Sequence, residues 1–154
     1  YHLIRKVLMF REFPKLTNQL CYAIYNTNRM LNQFYKKKLL AFDLTYTQYI
    51  VLLVLWEKDN IKLYELGDTL ELSSNTLTPL LKRLEEKGYL RRIQPEKDKR
   101  QLVIQLTQAG QALQLEIQSV LNACFSEEID FSPVVMQQMI ADNVRLTQAI
   151  KADM

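Results

Sequence analysis

Leu72-Ser73-Ser74-Asn75-Thr76-Leu77-Thr78-Pro79-Leu80-Leu81-Lys82-Arg83-Leu84-Glu85 is the stretch on which the fold turns. Ser73 or Ser74 can cap a helix, because a short hydroxyl accepts the free N–H groups of a first turn. The helix then runs to Lys87, and Gly88 is a natural C-terminal stop. Upstream, Lys62 to Leu70 reads as a short helix, and Glu71-Leu72 as a tight turn. Downstream, Tyr89 to Ile93 and Leu102 to Leu106 switch to a two-residue period. The polar run Gln94-Pro95-Glu96-Lys97-Asp98-Lys99-Arg100 lies between them, so the pair reads as a β-hairpin with a charged tip. Short helix, turn, capped helix and basic-tipped hairpin, in that order, make a winged helix-turn-helix.

The flanks are helical. Leu16, Leu20, Ile24, Thr27, Leu31 and Phe34 recur at helical spacing, with Pro14 suited to the first turn and an end near Leu40. Thr45 with Gln48 makes a capping box for Tyr46 to Glu57, which is apolar nearly all round and belongs in the core. Thr107 caps a further helix with Ala109, Leu113, Ile117, Val120, Leu121 and Cys124 on one stripe. Ser132-Pro133 opens a last helix to about Ala152. Residues Tyr1 to Phe13 read as an N-terminal arm or short helix. The expected architecture is mainly α with a small β-hairpin wing, a single chain over residues 1–154. Residues 45–107 read as the winged helix-turn-helix, and 1–44 with 108–154 as a helical part outside it.

Composition narrows the function. With 154 residues, 48% hydrophobic and 24% charged, the chain is one ordinary globular domain. Its most apolar run, Tyr49 to Trp56, is far short of the roughly 20 residues of a membrane span, so no membrane partner is expected. Two Cys make no disulfide framework, which suggests a reduced, cytoplasmic protein. With one His, His2, no metal-ligand cluster and no phosphate loop, neither a metal, a cofactor nor catalysis is expected. The window Lys82 to Arg100 holds eight basic and four acidic side chains, a net of +4 in a chain of net +3. A local basic excess suits an anionic backbone.

That surface fits double-stranded DNA. Ser74, Asn75, Thr76, Thr78 and Pro79 open the second helix of the motif, the end that enters a major groove. Short polar side chains allow close approach and hydrogen bonds to phosphates or base edges. Lys82 and Arg83 follow one turn later and can reach phosphate or guanine. Arg100, at the hairpin tip beside Asp98, suits a narrow minor groove.

These residues resemble the MarR family of dimeric transcription regulators. The likeness rests on Leu72 to Glu85, on the wing Asp98-Lys99-Arg100, and on Leu106-Thr107-Gln108-Ala109-Gly110. Gln19-Leu20-Cys21-Tyr22-Ala23-Ile24-Tyr25, Tyr35 and Leu44-Thr45-Tyr46-Thr47-Gln48-Tyr49 resemble its thiol-based branch, which contains the organic hydroperoxide resistance regulator. The resemblance implies a homodimer, built by the first and last two helices, that reads a palindromic operator. It implies a repressor that releases DNA when an organic hydroperoxide oxidises Cys21. It also makes Tyr35 and Tyr46 partners of Cys21, and Cys124 a candidate resolving thiol from the other subunit.

The residues themselves support part of this. Peroxides react with thiolates, and Cys21 lies early in a helix, where the dipole favours negative charge. Tyr25 is four residues on, on the same face. Tyr35 is fourteen residues on, about 21 Å along a straight helix, so it cannot touch its own Cys21, and the pairing that the resemblance implies has to come from the other subunit. Alternatively, a small phenolic or lipid ligand releases DNA and Cys21 is a structural residue.

Overall fold

The computed structural model describes residues 15–98, 101–127, 129 and 132–154. The expected N-terminal arm, Pro14, and Arg100 at the wing tip lie outside the described residues. After a 3-10 turn at Leu16–Asn18, α1 covers Leu20–Leu39. It starts later than expected, with Gln19 in extended backbone as its N-cap. A second 3-10 turn, Leu40–Phe42, ends with Asp43 in the left-handed region (φ 52°). That bend directs the chain into α2, Tyr46–Glu57.

The Thr45–Gln48 capping box is present in both directions. Gln48 N–H donates to Thr45 Oγ1 at 3.2 Å, and Thr45 N–H donates to Gln48 Oε1 at 3.0 Å. This is why Gln48 can be buried among apolar neighbours: its carbonyl has a donor. Val51, Leu52 and Leu55 of α2 are fully or almost fully buried, so the helix is central as expected.

The motif follows as α3 (Leu63–Leu70) and α4 (Ser74–Glu86). Glu71 turns the chain between them at φ 55°. Ser73 is the cap: its side chain accepts Thr76 N–H at 3.3 Å. Leu77, Leu81 and Leu84 face the core, each at 0% exposure. Gly88 (φ 79°) stops the chain after α4, with no atom near enough to demand a glycine on steric grounds; the backbone angle alone requires it.

The wing strands are β2 (Leu90–Ile93) and β3 (Val103–Leu106). The expected hairpin supplies two strands of a three-stranded antiparallel sheet in which β3 is central. Strand β1, Ile61–Lys62, pairs Ile61 with Ile104. Two residues are too few to show a two-residue period, so this strand carries no periodic signal. Asp59 fixes the edge: its Oδ1 accepts Leu106 N–H at 2.8 Å and Asn60 N–H at 2.8 Å.

Two long helices complete the chain, α5 (Gln108–Glu127) and α6 (Pro133–Ala152). Thr107 caps α5 by accepting Gly110 N–H at 3.1 Å. Leu113, Ile117, Leu121 and Cys124 of the expected α5 stripe are buried, while Ala109 and Val120 are exposed. Ser132 caps α6, with Pro133 at its first position. No residue of α6 is buried, although Val134, Met139, Ile140, Val144 and Ile150 lie along it. Among the described residues no single helix is long and apolar enough to cross a membrane.

Candidate thiol site and nucleic-acid interface

The two cysteines occupy different environments. Cys21 is the second residue of α1 and is exposed. Its position in the first turn places it among N–H groups with no intrahelical acceptor, where anionic charge is favoured. No acidic residue competes in that turn. Tyr25, one turn on, is exposed, and its ring lies 6.5 Å from that of Tyr22. Cys124 is buried near the end of α5.

Tyr35 and Tyr46 come together far from Cys21. Their ring centroids are 4.6 Å apart, joining the C-terminal half of α1 to the start of α2. Tyr49 stacks on Tyr35 at 5.9 Å, and Phe125, next in sequence to Cys124, lies 6.4 Å from Tyr35. Sequence reasoning missed Tyr49 and Phe125 as members; the three-residue step from Tyr46 to Tyr49 was the available signal. Burial, with Tyr46 and Tyr49 nearby, pushes the Tyr35 hydroxyl up to about 12. Tyr49 is raised as well, by burial and by Tyr46. Tyr35 therefore keeps its proton at neutral pH and can donate a hydrogen bond. One continuous helix carries both Cys21 and Tyr35, so their separation stays near 21 Å and no single chain joins them.

The aromatic cluster continues toward the wing. Tyr49 lies 6.2 Å from Trp56, whose Nε1–H donates to Gly110 O at 2.9 Å. Gly110 in turn packs against the Tyr89 carbonyl.

The basic surface is built on α4 and the wing. Ser74, Asn75, Thr76, Thr78, Pro79, Lys82 and Arg83 are all exposed. With Leu77, Leu81 and Leu84 buried, helical geometry puts Asn75, Pro79 and Lys82 at the centre of the outward face. The hydroxyls of Thr76 and Thr78 are engaged locally. Thr78 Oγ1 donates to Ser74 O at 2.7 Å, and Thr76 Oγ1 lies 3.1 Å from Ser73 Oγ. Glu85 clamps the wing to this helix, accepting Arg92 N–H at 2.9 Å and Arg92 Nε–H at 2.8 Å. These bonds hold the Glu85 carboxyl below the usual carboxylate range. Asp98 is half-buried and accepts Gln101 Nε2–H at 3.0 Å.

Residues 33–117, more than half of the chain, match the family described as transcriptional regulator SarA/Rot. The chain belongs to the SarA/Rot family of transcriptional regulators. Cys21 lies upstream of the matched residues. Among relatives, the regulator TtmR of Methylorubrum extorquens is 46% identical over 67% of this chain, and the match spans only about half (53%) of that longer protein. The organic hydroperoxide resistance transcriptional regulator of Bacillus subtilis is 42% identical, over 66% of this chain and 69% of its own. AbfR of Staphylococcus epidermidis has been solved reduced and bound to DNA, with 43% identity and a TM-score of 0.76 over 88% of this chain and 94% of that one. It has also been solved overoxidised on DNA and with a disulfide formed. The fold of this family member is thus the MarR-type winged helix.

Proposed function

We propose that this chain works as a homodimeric, cytoplasmic repressor that leaves a palindromic operator when an organic hydroperoxide oxidises Cys21. The observation that carries this is the Tyr35–Tyr46 pair, whose ring centroids lie 4.6 Å apart, with Tyr35 about 21 Å along α1 from the chain's own thiol. A second chain running antiparallel along α1 supplies the missing thiol. The apolar side chains of α6 support the same assembly, since none is buried within one chain. In this reading residues 1–44 and 108–154 dimerise, and 45–107 read DNA with α4 in the major groove and the wing, Asp98 and Arg100, on the minor groove.

The chemistry balances. Cys21 thiolate attacks the terminal oxygen of the hydroperoxide, the O–O bond breaks, and the alcohol leaves. Sulfur is oxidised by two electrons to a sulfenic acid. Tyr35 and Tyr46 of the partner donate to the sulfur and orient it. The partner's Cys124, beside the same aromatic cluster through Phe125, then attacks that sulfur; water leaves and a disulfide forms. AbfR is found on DNA in both reduced and overoxidised states, which favours a disulfide as the releasing species. The thiol is consumed once per event, which is regulation and not turnover.

Titration of the DNA-bound protein with an organic hydroperoxide tests this, read by DNA release and by non-reducing electrophoresis. Wild type is expected to release DNA and run as a covalent dimer. Cys21→Ser is expected to bind DNA and stay bound, and Cys124→Ser to give no dimer band. Release of Cys21→Ser at the same dose would refute the sensor and leave release to a small ligand.

A further inference from the structure

The outward face of α4 contains an apolar element that its polar composition conceals. Thr78 has already donated its hydroxyl proton, to Ser74 O at 2.7 Å. What remains for a ligand is a γ-methyl group and an oxygen that can only accept. Pro79 follows, exposed, at the centre of the face that Leu77, Leu81 and Leu84 turn away from the core. Proline inside a helix removes one backbone hydrogen bond and is costly. The helix nevertheless runs unbroken from Ser74 to Glu86. The exposed ring covers no part of the core that would offset the cost.

We propose that Thr78 and Pro79 form one apolar contact that reads the 5-methyl groups of thymine, making them specificity-determining residues of the DNA face. The proposal rests on the reading of α4 as the major-groove helix. Thymine is the base that offers a methyl group in that groove, and threonine methyl is a suitable partner for it. Lys82, one turn along the same face, is held near Glu86 (4.0 Å) and supplies attraction to the backbone without base selectivity. Division of labour follows: Lys82 holds the duplex, and Thr78 with Pro79 selects thymine-bearing positions.

The test begins with a duplex that the reduced wild-type protein selects from a pool of random sequence. That duplex is resynthesised with uracil replacing each thymine in turn, which removes the methyl and keeps every hydrogen-bonding group. At one or two positions per half-site, affinity is expected to fall about fourfold per methyl removed. Thr78→Ser keeps the hydroxyl and lacks the methyl, so its uracil penalty at one of those positions should vanish. Thr78→Val keeps a methyl and should retain the penalty. Pro79→Ala should lose the penalty at the neighbouring position. Each ratio compares two duplexes with one protein preparation, so partial misfolding of a variant cancels. Selective, salt-sensitive binding with no uracil penalty anywhere would overturn the proposal and leave DNA reading by α4 intact. Failure to select any duplex would overturn both.

Discussion

Gly110→Ala tests whether the wing and α5 are locked by close packing. A Cβ at this position would stand 2.0 Å from the Tyr89 carbonyl oxygen and 3.1 Å from Leu106 Cδ2. The carbonyl cannot turn aside freely, because it accepts Thr107 N–H at 3.1 Å. Gly110 N–H is itself bonded to the Thr107 cap, and Gly110 O accepts the Trp56 indole. Moving α5 outward by about an ångström would therefore strain the cap, the indole bond and the β3 junction together. Overpacking of this kind costs up to about 3 kcal/mol, and a weakened hydrogen bond about 1 kcal/mol more. Better helix propensity returns about 1 kcal/mol. The net expectation is a loss of about 3 kcal/mol, or roughly 6–12 °C in Tm for a domain of this size. Gly88→Ala is the control: its φ of 79° penalises any side chain, but nothing lies within 4 Å. It should cost about 1 kcal/mol. Urea unfolding followed by circular dichroism, at one fixed protein concentration, separates them. If Gly110→Ala loses no more than Gly88→Ala, or gains stability, propensity outweighs packing and the lock does not exist.

Three further outcomes are expected. Glu85→Gln should cost about 1 kcal/mol at neutral pH, discounted for the pair's partial exposure, and weaken DNA binding by freeing β2 from α4. Because the Glu85 carboxyl is held low, this stabilisation is present above the unfolded carboxylate range and fades as pH falls through the lowered folded value; the variants' unfolding curves should converge in acid. For Tyr35, raised to about 12, the folded state keeps a proton that the unfolded chain gives up near pH 10, so stability should fall as pH rises from about 10 toward 12. Titration of tyrosinate absorbance should show one late phenol that Tyr35→Phe removes. Tyr46→Phe should slow oxidation of Cys21 without abolishing it, measured by the rate of thiol loss after hydroperoxide, because one of two donors remains.

The helix-turn-helix was readable because each of its signals is local. Ser73, Gly88 and the Thr45–Gln48 box satisfy backbone groups within a few residues, so residue type and spacing are enough. Strand β1 was not readable, because its two residues gain their pairing from Ile104, more than forty positions away. The start of α1 was misplaced for a related reason. Pro14 is compatible with a first turn, but Gln19 holds extended backbone without any side-chain cap, so no residue type marks the boundary.

The thiol site shows a deeper limit. Pairing Tyr35 with Tyr46 needed the bend at Asp43, whose left-handed backbone returns α2 toward α1. A break at Phe42-Asp43-Leu44 is readable and Asp tolerates that conformation, but residue type alone does not fix the left-handed angle that sets the direction of α2. Phe125 joins the cluster only because α5 packs along α1, a contact spanning ninety positions. What the sequence did contain was an exclusion. A single straight helix keeps Cys21 and Tyr35 about 21 Å apart, and α1 is such a helix. In the proposed sensor, that distance makes a complete thiol site a property of two chains. The exposed apolar side chains of α1 and α6 are the surface that this proposal assigns to the second chain.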